Sequence, residues 1–152
     1  MKPKTKQQIP PQRAVDADTV ELRLPADPKL LKIVRAAVAS FCEIIGFAAE
    51  ESNSAMLAVD EACSNIIKHA YGGASRAPII ITLRRIDRGL EVVLRDYGTK
   101  ADPKRIKPRP LDEIRPGGLG VHLIRSVMNE VSFDATIKDG NQLTLVKYLR
   151  EA

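Results

Sequence analysis

Three short stretches of the chain carry residue types suited to chemistry. The first is Asp60-Glu61-Ala62-Cys63-Ser64-Asn65, with Lys68 and His69 beyond it, and in it Glu61 and Asn65 stand four apart. On a helix that spacing puts both side chains on one face. A carboxylate there could accept a proton from a hydroxyl or a water, and an amide oxygen one turn on could ligate a hard cation such as Mg²⁺. A Glu and an Asn on one helical face are by themselves ordinarily just solvated. The second stretch, Asp96-Tyr97-Gly98, ends an apolar run that reads as a strand. An Asp at a strand's carboxyl end lies where ligands tend to bind, and it could accept a hydrogen bond from an exocyclic amine; the plain alternative is the start of a turn. The third is the glycine run Gly117, Gly118 and Gly120 ahead of an apolar helical pattern. Backbone N–H groups and the positive end of a helix make phosphate the natural guest there. No Gly-Lys-Ser/Thr follows, so it is not a Walker loop, and the spacing does not fit a dinucleotide fingerprint.

The elements that must position these residues follow from periodicity. Val20, Leu22 and Leu24 alternate with polar residues as in a half-buried strand, closed by Pro25. Asp27-Pro28 reads as an N-cap with proline at the first helical position, and Leu30, Leu31, Val34, Val38, Phe41 and Ile45 continue a helix to a stop at Gly46. A second helix is expected from Ser52 or Asn53 to about Ala70, before Gly72-Gly73. Ile79 to Ile81 after Pro78, and Leu90 to Leu94, flank Asp87-Arg88-Gly89 as a hairpin. From Tyr97 to Gly118 the apolar pattern disappears, and four of the ten prolines fall there, which reads as a lid. Val121, Ile124, Val127 and Met128 give a third helix, and strands near Val131 to Lys138 and Gln142 to Leu149 flank Asp139-Gly140. The order β, α, α, β, β, lid, α, β, β predicts a two-layer α+β sandwich.

Composition bounds the function classes. With 152 residues, 44% apolar and 28% charged, the chain suits one globular domain, and disorder of the whole is excluded. No run approaches the roughly 20 apolar residues of a membrane helix, and the N-terminus lacks the apolar stretch of a secretory signal, so a cytoplasmic protein without a membrane partner is expected. The net charge is +5, but Lys2, Lys4, Lys6 and Arg13 supply most of it, and residues 14–152 carry only +1. Residues 1–14 read as a disordered basic leader and 15–152 as the folded domain. Aromatic residues are 4% of the chain with no Trp, which leaves little for a base-stacking platform. A nucleic-acid partner, resting only on the leader and on six basic residues against three acids between Lys100 and Arg115, is not expected. Cys42 and Cys63, each on a predicted helix without a second Cys or His at metal-ligand spacing, read as buried thiols rather than as a disulfide.

In their order and spacing the three stretches resemble the GHKL ATPase superfamily, which includes histidine kinases and gyrase. Within it the likeness is greatest to the small anti-sigma-factor serine/threonine kinases of bacterial partner switching, and it covers about residues 15 to 150. Asp60 to Tyr71 resembles the N box, a Glu-x-x-x-Asn core followed by His-Ala-Tyr; Asp96-Tyr97-Gly98 resembles the first glycine box, and Gly117 to Ile124 the second. The resemblance implies the GHKL (histidine-kinase-like) fold, a mixed sheet with helices on one face and a mobile ATP lid at residues 99–117. It implies Glu61 as the general base that activates a hydroxyl or water and Asn65 as the protein ligand to Mg²⁺. Asp96 would take the adenine amino group with Gly98 giving the ring room, Gly118, Leu119 and Gly120 would meet the phosphates, and Thr144 would lie near the adenine. His69 and His122 receive no assigned role. The implied cofactors are ATP and Mg²⁺. The implied partners are a STAS-type anti-sigma-factor antagonist that is phosphorylated, a sigma factor or other output protein that is held, and a second copy in a homodimer. One departure is Lys100, where the family pattern often has a second glycine. The alternative is a nucleotide-binding adaptor without phosphoryl transfer, against which the intact Glu61 speaks.

Overall fold

The computed structural model describes residues 16–101 and 118–151, so the expected leader and most of the expected lid lie outside the described residues. The elements run β1 (Thr19–Ala26), a 3₁₀ turn (Pro28–Leu30), α1 (Leu31–Ile45), α2 (Ala49–Asn65), a π-helical turn (Ile66–Ala70), β2 (Ser75–Ile86), β3 (Gly89–Asp96), α3 (Gly118–Val127), β4 (Glu130–Phe133) and β5 (Asn141–Tyr148). The strands form one sheet in the order β1-β2-β3-β5-β4. The α+β two-layer expectation holds, with a correction inside it: every pairing is antiparallel, so the sheet is not mixed. Short connections make β2–β3 and β4–β5 antiparallel, since parallel neighbours require a crossover, while β1–β2 and β3–β5 are antiparallel across long connections.

Strand alternation sorts the sheet into two faces. Ile79, Ile81 and Leu83 of β2, Leu90, Val92 and Leu94 of β3, and Leu145 of β5 are buried. On the helical side they meet Leu31, Val34, Val38, Phe41 and Cys42 of α1, and Ala55, Ala58, Val59, Ala62 and Cys63 of α2. Each fully buried Leu or Ile contributes about 1.5–3 kcal/mol by leaving water. The alanines on α2 keep its buried face narrow, so the helix carrying Glu61 packs tightly while its other face stays accessible. Arg35 Nη1 lies 2.8 Å from Asp60 Oδ1 and ties α1 to α2.

Several boundaries differ from expectation for identifiable reasons. Asp27 does cap, accepting from Lys29 N at 3.0 Å, but the first turn is 3₁₀ and α1 proper starts at Leu31. Gly46, at φ +100°, ends α1 as expected. The second helix starts at Ala49, ahead of Ser52 and Asn53, with Glu50 and Glu51 in its first turn complementing the helix dipole in place of a side-chain cap. β2 runs through Pro78, which is tolerated because Pro25 stands opposite it in β1 and the ladder to β3 begins only at Ile80. β4 stops at Phe133 because Asp134 Oδ1 accepts from Thr136 N at 2.9 Å and Thr136 Oγ1 at 2.6 Å, turning the chain.

Both cysteines are buried and free, as expected. Burial pushes the Cys42 thiol up to about 11, against the opposing pull of the Lys147 charge and a hydrogen bond with Ser52. Cys63 is pushed up to about 12, by burial first and the Asp60 charge second. Thiolates are the reactive form, so neither should be labelled by iodoacetamide at pH 8 until the protein is unfolded; prompt native labelling would contradict this burial. A second test concerns glycines. Gly140 and Gly72 have nearly equal φ, +72° and +69°, but a Cβ on Gly140 would stand 2.1 Å from Asp96 O, whereas one on Gly72 would meet nothing within 4 Å. Gly72→Ala should lose about 1–2 kcal/mol from the left-handed backbone alone, and Gly140→Ala clearly more in urea unfolding; equal losses would show that the close approach to Asp96 is unimportant.

Candidate functional site

α2 presents two neighbouring acids in different surroundings. Asp60 is engaged by Arg35, whereas Glu61 is half-buried and makes no hydrogen bond or ion pair among the described residues. Asn65, one turn on, is also half-buried without such a bond among them. The helix then widens. Tyr71 N bonds Ile66 O at 3.1 Å and Gly73 N bonds Ile67 O at 2.8 Å, closing a π turn where an uninterrupted α-helix to Ala70 was expected. The turn leaves Lys68 and His69 exposed and directs the Ala70 carbonyl at the 96–99 loop, where Thr99 N bonds it at 2.7 Å. Gly98 rests on that carbonyl: a Cβ there would stand 2.4 Å from Ala70 O. The room that Gly98 provides is thus used, in this structure, by the end of the π turn that follows α2.

Asp96 ends β3 on the helix-facing side and is only 2% exposed. Its Oδ1 accepts from Gly98 N at 2.9 Å and from Asn141 Nδ2 at 3.0 Å, and its Oδ2 takes part in neither bond. Burial raises the Asp96 carboxyl above its usual value, and the bonds from Asn141 and Gly98 and the Arg95 charge pull the other way. Arg95 Nη1 donates to the backbone carbonyls of Asp96 at 2.5 Å and Asn141 at 3.1 Å, with its guanidinium 4.3 Å from the Tyr97 ring centre. Tyr71 braces the same corner, donating to Pro78 O at 2.7 Å and accepting from Tyr97 N at 2.8 Å.

Asn141 was not singled out by its sequence, where Asp139-Gly140-Asn141 reads as turn chemistry. It is a hub: besides Asp96, its amide donates to Thr99 O at 3.0 Å and accepts from Ala101 N at 2.8 Å, fixing the start of the expected lid. Thr144 lies elsewhere. In register Asp96 faces Asn141 and Val93 faces Thr144, so Thr144 sits on the opposite face of the sheet from Asp96. Only a known register distinguishes the two positions. Lys100, at the departure from the family pattern, extends its ammonium to the Ile137 carbonyl and pins the 99–101 segment to the connection before β5.

The backbone of Gly118, Leu119 and Gly120 forms the first turn of α3, so its leading N–H groups have no partner within the helix. α3 packs beside α2, with Ile124 of α3 and Met128 just beyond its end buried in the core. His122 is half-buried on α3. Among the described residues no cluster of three or more His, Cys, Asp and Glu could cage a metal ion. The Asn65 side chain offers one amide oxygen, a hard donor of the kind that Mg²⁺ takes beside phosphate and water. Among the described residues no helix is long and apolar enough to cross a membrane.

Comparison with known proteins agrees with this fold. Residues 24–147 match the family described as the histidine kinase-like ATPase domain. Two relatives are named serine-protein kinase RsbW: that of Bacillus velezensis is 26% identical over 144 residues, covering 90% of this chain and 89% of the relative. That of Bacillus pumilus is 29% identical over 143 residues, covering 87% and 86%. A crystal structure of the RsbU and RsbW domains of a Mycobacterium tuberculosis protein matches 93% of this chain with a TM-score of 0.65. It is 19% identical, so the likeness is one of fold, and this chain spans 35% of that longer one.

The buried Asp96 makes a stability prediction with a definite sign. Its carboxyl is raised in the folded state, so ionisation opposes folding as pH rises above the ordinary carboxylate range. Asp96→Asn keeps an oxygen for the Gly98 and Asn141 donors and removes the charge. At pH 7.5 the variant should melt no lower than wild type, and the difference should shrink as pH falls and the wild-type carboxyl protonates. Comparing the two proteins cancels acid effects elsewhere; a variant that becomes less stable than wild type as pH rises would mean that the Arg95 charge outweighs burial.

Proposed function

Because the chain belongs to the histidine kinase-like ATPase domain family, we propose that it is an ATP-dependent protein serine/threonine kinase of the anti-sigma-factor type. In this reading it phosphorylates a STAS-type antagonist protein and otherwise holds a sigma factor or another output protein, working as a homodimer. The cytoplasm, where ATP is available and thiols such as those of Cys42 and Cys63 stay reduced, is the compartment the reading requires. The names of the RsbW relatives support the class of activity. The single observation that carries it is the contrast on α2: Asp60 is spent on an ion pair, while Glu61 stands half-buried with no such partner among the described residues.

Each residue then has a task in phosphoryl transfer, which depends mostly on positioning and charge neutralisation. The Oδ2 of Asp96 accepts the exocyclic amine of adenine while Asn141 and Gly98 hold the carboxylate still. The N–H groups opening α3 face the phosphates. Glu61 takes the proton from the attacking serine hydroxyl as its oxygen bonds the γ-phosphorus; the bond from that phosphorus to the bridging oxygen breaks and ADP leaves. Mg²⁺, when bound, would neutralise phosphate charge, and Asn65 is the side chain that would hold it. Lys100 anchored on Ile137, where a glycine is often found, is what favours the alternative of an adaptor that binds nucleotide without transfer.

Titration calorimetry with ATP and Mg²⁺, paired with phosphorylation of a candidate antagonist, separates the two readings. Wild type should bind ATP in preference to GTP, and Asp96→Asn should lose most of that binding. Glu61→Gln should bind ATP within about twofold of wild type yet transfer about 10²–10⁴-fold more slowly, the range for a lost general base. Transfer by Glu61→Gln at the wild-type rate would remove Glu61 from the mechanism, and tight binding with no transfer by wild type would establish the adaptor.

A further inference from the structure

Lys147 is a buried cation that the chemistry above does not use. It lies on the helix-facing side of β5, opposite Leu90 in register, and is only 6% exposed. Its Nζ donates to the carbonyl of Val127, the last residue of α3, at 2.6 Å, and lies 2.8 Å from Glu51 Oε2 in the first turn of α2. The other carboxylate oxygen of Glu51 is 2.8 Å from Arg150 Nη2. A single ammonium therefore joins the sheet, the carboxyl end of α3 and the amino end of α2. Both charges also complement helix dipoles, Glu51 at a positive end and Lys147 at a negative one. The hydrogen bond from Lys147, with the Lys147 and Arg150 charges, holds the Glu51 carboxyl below its ordinary value despite its desolvation.

The far end of α3 is the Gly118–Gly120 turn. A ten-residue helix is a rigid rod of about 15 Å, so fixing its last carbonyl fixes how far its first turn reaches. We propose that Lys147 is a positioning residue for the phosphate end of the nucleotide site: it sets α3 along its own axis and so places the N–H groups of residues 118–120. Asp96 and Asn141 sit at the other end of β5, outside this clamp, so adenine recognition is independent of it. The inference rests on the reading that the start of α3 meets phosphates.

The test compares adenosine with ATP–Mg²⁺, by titration calorimetry, in the full chain. Wild type should bind ATP much more tightly than adenosine; equal affinities would refute the phosphate reading itself, before Lys147 is considered. Lys147→Met should lower the ratio of ATP to adenosine affinity about tenfold, equivalent to about 1.4 kcal/mol, with adenosine affinity unchanged within twofold. A merely structural role would weaken both ligands together or neither. Lys147→Met leaves Glu51 with only the exposed Arg150, so the paired variant Lys147→Met with Glu51→Gln, which leaves no unpaired buried charge, carries the same measurement if the single variant does not fold. An unchanged ratio in a folded variant overturns the proposal, and so does failure of both variants to fold, which would assign the pair to folding alone.

Discussion

A carboxylate withdrawn from water must be given donors, and Asp96 organises its surroundings around that need. Removing a charge from solvent costs several kcal/mol unless hydrogen bonds replace the lost hydration. Here they come from Gly98, which requires the loop after β3 to fold back, and from Asn141, which requires β5 to start level with the end of β3. Gly140 and Gly98 follow from the same constraint, because the chain passes so close to Asp96 and Ala70 that a side chain at either position would collide with backbone. The corner is thus a set of mutually dependent approaches, and changing any member moves the carboxylate.

The site has two ends with different supports. Asp96 and Asn141 stand on adjacent central strands of the sheet, where ladder hydrogen bonds leave little freedom. Glu61, Asn65 and the start of α3 stand on helices, which are held to the sheet by side-chain packing and by the Lys147–Glu51 ion pair, and α2 is held to α1 by Arg35–Asp60. The π turn links the two supports, since it continues the helix that carries Glu61 and its last carbonyl, that of Ala70, bonds the loop after Asp96. Glu61 on one support and Asp96 on the other are thereby linked through that turn as well as through packing.

What the sequence shows of this arrangement is what depends on local pattern. Element order and the three chemical stretches are visible because periodicity, strand ends and glycine runs are local signals. Asn141 escapes notice because an Asn after Gly is ordinary turn chemistry, and Thr144 draws attention because residue type is visible where strand register is not. The Lys147–Glu51 pair joins residues far apart in the chain, and a Lys in a strand pattern reads as an outward position until the fold shows otherwise. The antiparallel character of the sheet and the π turn are likewise tertiary outcomes. Helix starts are misplaced for a similar reason: Ser52 looks like a cap, but the buried ion pair draws Glu51 into the first turn instead.

The strand order carries a consequence for assembly. β5, the last strand of the described chain, is not at an edge; it lies between β3 and β4. Until it is synthesised, β3 presents an unpaired edge and β4 has no neighbour at all, so the growing chain passes through a stage with open backbone donors and acceptors. Contacts between residues so distant in sequence form slowly, and that stage is exposed to wrong pairings. Asp96 acquires its Asn141 partner only when β5 inserts, so a ligand that needs this finished corner would select chains whose sheet is complete. By mass action it draws the population toward the completed fold.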